Sequence, residues 1–324
     1  MLGFFRRNLF VNLVLLLLFA IALQAYFFFN WSPPEFTYSL DIFGKAFFPQ
    51  LLSNHYVQTI CTIILIIISA VLIGQHVIQN KLSRALSLIP AAVFVLFSSF
   101  VLEDRSFDSI LVANLFLIIS IGNLFQIYKK YQPISTIFNC GVFLGLACLM
   151  YLPYLIYLVV LIFGLISLRN INIKESFQLL IGFLTPFFFA GVILYAQGNL
   201  NALQSMFSDN FGVPDFAFDD LESNIKLVGV VVTLLFAILF KGSLNKKKKF
   251  DAIKKIELCY WMLFLSLASI FFVDQIGTRH LMILSFPISV LIGLLLERKE
   301  GSLAKEFVFL LSIVFYFMSV LNLL

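Results

Sequence analysis

The chain has 324 residues, of which 61% are hydrophobic and only 12% are charged, and its mean hydropathy is +1.01. A soluble domain is about half apolar and about a quarter charged, so this composition excludes a water-covered globular protein and indicates one embedded in a membrane. The net charge of +5 does not indicate nucleic-acid binding, because the basic residues lie in separate links between hydrophobic runs rather than in one patch.

The first predicted membrane span covers about Asn8 to Phe29 and follows a pair of arginines. The run is about twenty residues long and lacks a small-residue cleavage site, so we expect it to be retained as a span. A polar loop follows over residues 30–55 and contains Glu35 and Asp41. Apolar residues recur at helical spacing between Ile42 and Leu52, which predicts a short amphipathic helix on the membrane surface.

Ten further apolar runs predict the remaining spans of an all-α, polytopic transmembrane bundle of about 11 spans. These runs cover approximately residues 56–78, 86–102, 109–127, 136–150, 154–168, 176–196, 225–240, 256–273, 281–296 and 306–324. The fifth and sixth spans meet at Tyr151-Leu152-Pro153, where one long kinked helix is the alternative.

The distribution of basic residues predicts the orientation of the bundle. If the amino terminus is cytoplasmic and the spans alternate, 18 of the 22 basic residues lie inside, including the run Lys246–Lys249. Such a bias follows the positive-inside rule. Merging the fifth and sixth spans would move that run outside, so we expect them to be separate and the carboxyl terminus to be periplasmic. We expect a multi-pass protein of the bacterial inner membrane.

The candidate chemistry centres on Glu103-Asp104-Arg105, a turn that the third and fourth spans present to the outside. The same orientation places eleven of the 17 acidic residues outside, mostly on three loops. A carboxylate at a membrane-proximal mouth can act as a general base or bind a divalent cation. A guanidinium nearby can hold a phosphate through two parallel hydrogen bonds. The sequence therefore favours a site that processes a donor linked to a lipid phosphate.

This order of an inside amino terminus, an acidic first outer loop and adjacent acids in the second outer turn resembles the GT-C type of membrane glycosyltransferase, which uses polyprenyl-phosphate sugars. Thr278-Arg279-His280, with Pro287 following, resembles a late arginine segment of such enzymes. The resemblance implies a seven-span module over residues 1–196, which includes the outer loop 30–55. Residues 197–324 would then form an outer acidic loop and a four-span module.

The resemblance also implies roles for individual residues. The candidate catalytic carboxylates are Glu35, Asp41, Glu103 and Asp104. One of the first-loop pair would be the base, and the second-loop pair would orient the acceptor or a metal. Arg279 would hold the donor phosphate, supported by Arg105 or His280. The chain as a whole also resembles an uncharacterised multi-span inner-membrane protein family of Bacteroidota, a resemblance that implies no activity.

Simpler interpretations stay open beside these roles. The Glu103–Arg105 turn can be a solvated turn with a local ion pair worth roughly 0–1 kcal/mol. Arg279 and His280 can be an interface anchor. No His, Cys, Asp or Glu set has structural-zinc spacing. The cysteines, which are predicted to be small apolar packing residues, are Cys61, Cys140, Cys148 and Cys259. Asn114, inside a span, is explained by hydrogen bonding between helices.

The leading functional prediction is transfer of a sugar from a polyprenyl-phosphate donor at the outer face of the inner membrane. The alternative is a non-enzymatic subunit that scaffolds an envelope secretion or assembly complex, and a lipid or solute transporter is third. The predicted partners are membrane lipids, a polyprenyl-phosphate sugar donor and envelope-complex proteins. The metal requirement stays open, with a divalent cation as the cofactor that the acids can bind.

Overall fold

The computed structural model describes most of the chain. The described residues are 9–29, 55–83, 87–102, 107–128, 130–131, 133–169, 173–199, 201–208, 210–212, 214–216, 221–244, 248–297, 309, 312–313 and 316. Two parts of the predicted site, the Glu103–Arg105 turn and the loop that carries Glu35 and Asp41, lie outside them. The predicted amphipathic helix between Ile42 and Leu52 lies outside them as well.

The described residues are mostly helical, as the apolar runs predict. The α-helices are, in chain order, α1 Leu9–Phe29, α2 His55–Gln79, α3 Ile89–Val101, α4 Ser109–Gln126, α5 Ile134–Met150, α6 Ile156–Leu168, α7 Ile173–Ala196, α8 Asn201–Ser208, α9 Leu221–Leu239, α10 Lys241–Leu244, α11 Phe250–Ala268 and α12 Ser285–Glu297. Short 3-10 segments cover Leu152–Leu155, Ser269–Phe271 and Thr278–Leu284. Two-residue strands β1, Asp215–Phe216, and β2, Gln275–Ile276, form a parallel pair.

Within the described ranges, four helices are long and apolar enough to cross a membrane. They are Tyr56–Gln79, Ser109–Gln126, Ile173–Ala196 and Thr278–Glu297. Shorter apolar helices of 10–17 residues cover Phe10–Gln24, Ile89–Val101, Ile134–Met150, Leu152–Leu168 and Ser223–Leu239. The prediction of a helical protein with apolar, membrane-length helices is confirmed at this level.

One of the long helices is central and another is peripheral. In Thr278–Glu297, 89% of the apolar stretch is buried, whereas the corresponding figure for α7 is 33%. Phe177, Ile181 and Phe188 on α7 are exposed to the surroundings. Bulky apolar side chains that are exposed on a membrane-length helix are suited to contact with lipid. The helix that begins at Thr278 is therefore the core of the bundle, and α7 is at its edge.

Contacts between helix ends define two ends of the bundle. At the Arg279 end, the side chain of Arg279 contacts the first residue of α4, Ser109, and His280 contacts Ser269, which directly follows α11. At the Lys255 end, Lys255 in the second turn of α11 contacts Asn80, which directly follows α2. Helices α2, α4 and α12 therefore run toward the Lys255 end, and α11 runs toward the Arg279 end.

Helices α5 and α6 are separate and run in opposite directions. The backbone of Tyr151 is extended, with φ −152° and ψ 101°, and this ends α5. At the Arg279 end, Ser109 Oγ donates to the carbonyl of Met150 over 3.3 Å. At the Lys255 end, Arg169 Nη1 donates to the carbonyl of Lys130 over 2.6 Å. The chain therefore reaches the Arg279 end along α5 and returns along α6, as predicted for the fifth and sixth spans.

Glycine residues allow α5 and α7 to approach closely. A Cβ atom on Gly141 would lie 2.2 Å from the carbonyl oxygen of Leu179, and one on Gly182 would lie 2.3 Å from that of Phe138. Gly145 faces Phe183 and Pro186 in the same way, at 2.5 Å and 3.0 Å. A Gly-x-x-x-Gly spacing commonly mediates helix contact in membranes, where small residues let backbones meet. Since Leu179 faces Gly141 and Phe183 faces Gly145, α7 runs parallel to α5 and ends at the Arg279 end.

The acidic loop between α7 and α9 contacts the segment that leads into Thr278. In the β1–β2 pair, Asp215 is opposite Gln275, and Phe211 forms an antiparallel bridge with Val273. The backbone N–H of Asp274 donates to the carbonyl of Asn210 over 3.2 Å. This loop is therefore attached next to the start of the central helix.

The predicted link between the spans 225–240 and 256–273, residues 241–255, is longer than the link in the structure. Helix α11 already begins at Phe250, so Lys254 and Lys255 belong to its first two turns. Lys255 is only 5% exposed. A long lysine side chain can place its charge beside polar groups at a helix end while its methylene stem packs on apolar neighbours. A prediction based on apolar runs ends the helix at such a lysine and assigns the lysine to a loop.

Candidate functional site

Arg279 is fixed at the start of the central helix by the first residues of α4. Its Nη2 donates to Asp108 Oδ1 over 2.6 Å and to Ser109 Oγ over 3.0 Å. The same Asp108 oxygen accepts from the backbone N–H of Ile110 over 2.9 Å, which makes Asp108 the N-cap of α4. Arg279 is 8% exposed and Asp108 is 22% exposed, so this is a largely buried, charge-assisted contact.

Tyr151 supports the guanidinium from the turn between α5 and α6. The Cζ atom of Arg279 lies 5.3 Å from the centre of the Tyr151 ring, within the range of a cation–π interaction. The Tyr151 hydroxyl lies 2.9 Å from His280 Nδ1, and Ser269 Oγ lies 2.9 Å from His280 Nε2. One polar network therefore joins α4, the α5–α6 turn, the end of α11 and the start of the central helix.

Two buried hydroxyl groups of this region differ from their neighbours. The rings of Tyr151 and Tyr157 flank Tyr154, with centroids 5.8 Å and 5.9 Å away. Among the residues that the structure describes, Tyr154 Oη and Thr278 Oγ1 have no hydrogen-bond partner, although both residues are fully buried. Tyr154 lies within electrostatic reach of Asp108 and Arg279. A buried unpaired hydroxyl costs about 1–3 kcal/mol, so it indicates a group available for a further partner.

We call this set the Arg279 cluster. It consists of Asp108, Ser109, Tyr151, Tyr154, Ser269, Thr278, Arg279 and His280. The cluster contains hydroxyl and guanidinium donors, one carboxylate and one imidazole. Such a set can bind an anionic group and can orient it, with Asp108 limiting the net positive charge.

The structure places two of the seven predicted site residues in this cluster. Arg279 contacts Asp108, which follows Asp104 by four positions, so the predicted phosphate ligand lies beside the helix that the second outer turn leads into. His280 is 2% exposed, and hydroxyl groups contact both of its ring nitrogens. The other predicted residues, which lie outside the described part of the chain, are Glu35, Asp41, Glu103, Asp104 and Arg105. A shared hollow between the outer acids and Arg279 therefore stays a prediction.

Sequence reasoning missed most of the cluster. Asp108 is one of the eleven acidic residues that the sequence predicts to lie outside, and no role is predicted for it, although Asp directly before an apolar helix is a recognisable N-cap signal. Tyr151 is predicted only as part of the connection between the fifth and sixth spans, and no role is predicted for Tyr154 or Ser269. Nothing in a single sequence pairs Tyr151 with His280, since they are 129 positions apart.

The opposite end of the bundle has a different kind of polar contact. Lys255 Nζ donates to Asn80 Oδ1 over 2.7 Å and lies 6.0 Å and 5.7 Å from the ring centres of Phe125 and Tyr128. Lys248 Nζ donates to the carbonyl of Leu82 and Lys254 Nζ to that of Ser167, each over 2.7 Å. Lys248 and Lys254 therefore bind backbone carbonyls, whereas Lys255 binds a single side-chain amide.

The described residues contain no group of three or more His, Cys, Asp or Glu side chains that could hold a metal ion. The cysteines are free thiols, and three of them are buried: Cys140, Cys148 and Cys259. Their burial agrees with the predicted packing role.

Comparison with known proteins identifies a family but no activity. A family model described as a family of unknown function (DUF6427) matches residues 40–324. The chain belongs to this family. No curated protein and no solved structure matches the chain. The matched region of this DUF6427 protein contains the whole Arg279 cluster. The chemistry of that cluster is therefore the basis for proposing a function.

Proposed function

We propose that this protein is a glycosyltransferase-like membrane protein that takes a sugar from a polyprenyl-phosphate donor at the Arg279 end of the bundle. The observation that carries the proposal is the Arg279 cluster itself. The largely buried guanidinium of Arg279 contacts Asp108 and Ser109 at the start of α4, the helix that follows the Glu103–Arg105 turn in the sequence. Among the residues that the structure describes, the hydroxyls of Tyr154 and Thr278 in the same cluster have no hydrogen-bond partner. Donor groups gathered at the start of α4, a few residues after two adjacent acids in the sequence, support recognition of a phosphate next to candidate catalytic carboxylates.

In this proposal the cluster holds the leaving group. The guanidinium of Arg279 and the hydroxyls of Tyr154 and Thr278 donate hydrogen bonds to phosphate oxygens, which are stronger when the acceptor is charged. Thr278 is also the first residue of a continuous helical stretch, Thr278–Glu297, whose positive amino-terminal end favours an anion.

The outer-loop acids then perform the chemistry. A carboxylate among Glu35, Asp41, Glu103 and Asp104 removes the proton from an acceptor hydroxyl. The acceptor oxygen forms a bond to the anomeric carbon of the sugar as the bond from that carbon to the phosphate oxygen breaks. Polyprenyl phosphate leaves with the electron pair of that bond, and Arg279 stabilises its negative charge.

The finer topology belongs to the same proposal. We infer eleven spans with a cytoplasmic amino terminus, a periplasmic carboxyl terminus and the Arg279 end outside. The predicted seven-span module over 1–196 and the four-span module over 197–324 would then meet in the Arg279 cluster. The protein would lie in the inner membrane, as the resemblance to an inner-membrane family of Bacteroidota implies. The basic side chains at the Lys255 end support this orientation through the positive-inside rule.

Cysteine labelling tests the orientation. The background is a chain whose native cysteines are replaced by alanine. Asn199→Cys follows α7 at the Arg279 end, and Lys249→Cys precedes α11 at the Lys255 end. Both positions are exposed. We expect a membrane-impermeant maleimide to label Asn199→Cys in intact spheroplasts, and Lys249→Cys only after permeabilisation. The reverse pattern would overturn the orientation and, with it, an outer-face reaction.

Binding and turnover assays test the function. For protein in nanodiscs, we expect tighter binding of polyprenyl phosphate than of polyprenol of the same length, and Arg279→Gln should weaken that preference by about ten- to a hundredfold. The matched control is Arg169→Gln at the opposite end, which should leave it unchanged. The double variant Glu103→Gln with Asp104→Asn should still bind but should no longer release polyprenyl phosphate from a labelled polyprenyl-phosphate sugar. No phosphate preference in the wild type would contradict the proposal.

A non-enzymatic scaffold subunit is the second candidate, and one observation favours it. Arg279 already contacts Asp108 and Ser109, and the network around it fastens four segments of the bundle. A scaffold would use the cluster only for stability. In that case Arg279→Gln and Asp108→Asn would lower the unfolding temperature, whereas polyprenyl phosphate would not raise it.

A further inference from the structure

We propose that His280 is a positioning residue: as the neutral imidazole with its proton on Nε2, it fixes the Tyr151 hydroxyl and thereby the aromatic surface that supports Arg279. The assignment of the proton follows from hydrogen-bond directions in the structure. Only the binding measurement in its test rests on the proposed function.

Ser269 has a single hydroxyl proton, and its use determines the state of His280 Nε2. Ser269 Oγ donates that proton to the carbonyl of Ser266 over 2.6 Å. At the 2.9 Å contact with His280 Nε2, the serine oxygen can therefore only accept. The Nε2 atom must carry a hydrogen.

The other ring nitrogen of His280, Nδ1, accepts a hydrogen bond from Tyr151. A neutral imidazole with hydrogen on Nε2 presents a lone pair at Nδ1. A second proton would place a positive charge on a side chain that is only 2% exposed. Burial disfavours that charged state. At the 2.9 Å contact with Nδ1, Tyr151 is therefore the donor.

The contact between Tyr151 and His280 also affects Arg279, because Arg279 packs on the Tyr151 ring. The Tyr151 ring is held from two directions, because its backbone forms the turn after α5 and its hydroxyl is bound by His280. The guanidinium of Arg279 lies over that ring at 5.3 Å while Nη2 donates to Asp108 and Ser109. His280 does not touch the group that Arg279 recognises. His280 acts through Tyr151. This positioning role explains why a buried histidine directly follows Arg279, the candidate phosphate ligand.

The chain offers a direct spectroscopic test because it has only three histidines. These are His55, His76 and His280. We would label the imidazole nitrogens of histidine with ¹⁵N, record spectra of the protein in nanodiscs and assign the signals with His55→Gln and His76→Gln. We expect His280 to show a protonated Nε2 and an unprotonated Nδ1, with the Nδ1 signal shifted by Tyr151→Phe. A proton on Nδ1 or on both nitrogens in the wild type would overturn the proposal.

Matched substitutions test the positioning role separately from the fold. In His280→Asn the amide oxygen can occupy the place of Nδ1 and accept from Tyr151, whereas the longer side chain in His280→Gln places its amide near Nε2. For variants with wild-type unfolding temperatures, we expect His280→Gln to weaken the preference for polyprenyl phosphate over polyprenol by about tenfold, as expected for one lost hydrogen bond. His280→Asn should retain most of the preference. Equal losses in the two variants would contradict positioning through Tyr151.

The two arms separate the two proposals. If the wild type has no phosphate preference, the proposed function fails, and the nitrogen spectra alone decide the arrangement of His280. If the preference exists but the spectra show the other tautomer, the proposed function stands and the positioning role fails. Tyr151→Phe, which keeps the ring but removes the hydroxyl, should resemble His280→Gln in binding.

Discussion

The two ends of the bundle use polar side chains in different ways. At the Lys255 end, basic side chains donate to backbone carbonyls close to where helices finish: Lys248 to Leu82, Lys254 to Ser167 and Arg169 to Lys130. Ser167 is in the last turn of α6, where the carbonyl groups have no partner within the helix and a positive charge complements the negative end of the helix dipole. Leu82 and Lys130 lie in the links that follow α2 and α4.

At the Arg279 end, side chains bond to side chains across several segments. Arg279 meets Asp108, and Tyr151 meets His280, which in turn meets Ser269. A backbone carbonyl accepts from any long donor that reaches it, but a side-chain network requires a particular residue at each position. The comparison teaches that three of the basic side chains at the Lys255 end bind backbone carbonyls, whereas the contacts at the Arg279 end depend on the identity of each side chain, as the proposed binding site requires.

The largest expected effect comes from breaking the ion pair at the Arg279 end. Asp108→Asn removes the charge opposite a guanidinium that is 8% exposed and also weakens the cap of α4. We expect a loss of about 3 kcal/mol in the free energy of unfolding, because loss of one partner leaves the other charge poorly compensated. Thermal or denaturant unfolding in a defined detergent measures this.

A double-mutant cycle provides the control for that prediction. Arg279→Gln combined with Asp108→Asn should cost less than the sum of the two single changes, because neither charge is then left alone. If the single changes add without coupling, the specificity assigned to the Arg279 end is wrong.

The two neighbouring tyrosines provide the next prediction. Tyr157 bonds to Ser266 Oγ at 2.9 Å and to the carbonyl of Ile283 at 2.8 Å, so Tyr157→Phe should lower the free energy of unfolding by about 1 kcal/mol. Tyr154 is equally buried, but within the described chain its hydroxyl has no partner. Tyr154→Phe should therefore be neutral or stabilising by about 1 kcal/mol in the absence of ligand, and should weaken phosphate binding. Equal destabilisation by both changes would mean that Tyr154 does not have a free donor.

The sequence predicts the membrane-length helices well but does not show which of them is central. The predicted spans 56–78 and 109–127 correspond closely to α2, His55–Gln79, and α4, Ser109–Gln126. However, α7 and the stretch beginning at Thr278 are both apolar, since a lipid-facing helix and a buried helix both need apolar surface. Small polar residues carry part of the missing signal: Asn114 Nδ2 donates to Ser285 Oγ on α12 over 2.8 Å, as the sequence predicts for bonding between helices.

The candidate site is predictable only in part. Resemblance to a late arginine segment predicts Arg279 as a site residue, and the structure brings Arg279 into contact with Asp108 at the start of α4. A shared site with the Glu103–Arg105 turn stays a prediction. The roles of Tyr151 and His280 depend on contacts between distant segments, which no local pattern encodes. The predicted span 256–273 leaves Lys255 in the preceding link, because a charge interrupts the apolar run. In the structure, Asn80 and the rings of Phe125 and Tyr128 accommodate Lys255 within a helix.

A smaller effect is expected when that buried lysine is replaced. Lys255→Met keeps the length and packing of the side chain and removes a buried charge, but it leaves Asn80 Oδ1 without its donor. We expect a loss of about 1 kcal/mol in the free energy of unfolding, measured by the same denaturation assay, and no change in phosphate binding. A loss of binding would show that the Lys255 end also participates in recognition and would remove the contrast between the two ends.

The smallest expected effect is at Lys241, which is exposed at the Lys255 end. Its Nζ lies 5.0 Å from the ring centre of Tyr260, whose hydroxyl donates to the carbonyl of Ala237 over 3.0 Å. A cation–π interaction at an exposed site contributes about 0.5 kcal/mol, so Lys241→Met should change the free energy of unfolding by about that amount. Tyr260→Leu should remove the same interaction together with the hydroxyl bond and should cost more, and in its background Lys241→Met should have no further effect. A loss of several kcal/mol from Lys241→Met alone would contradict the view that basic residues at this end serve mainly as interchangeable helix-end contacts.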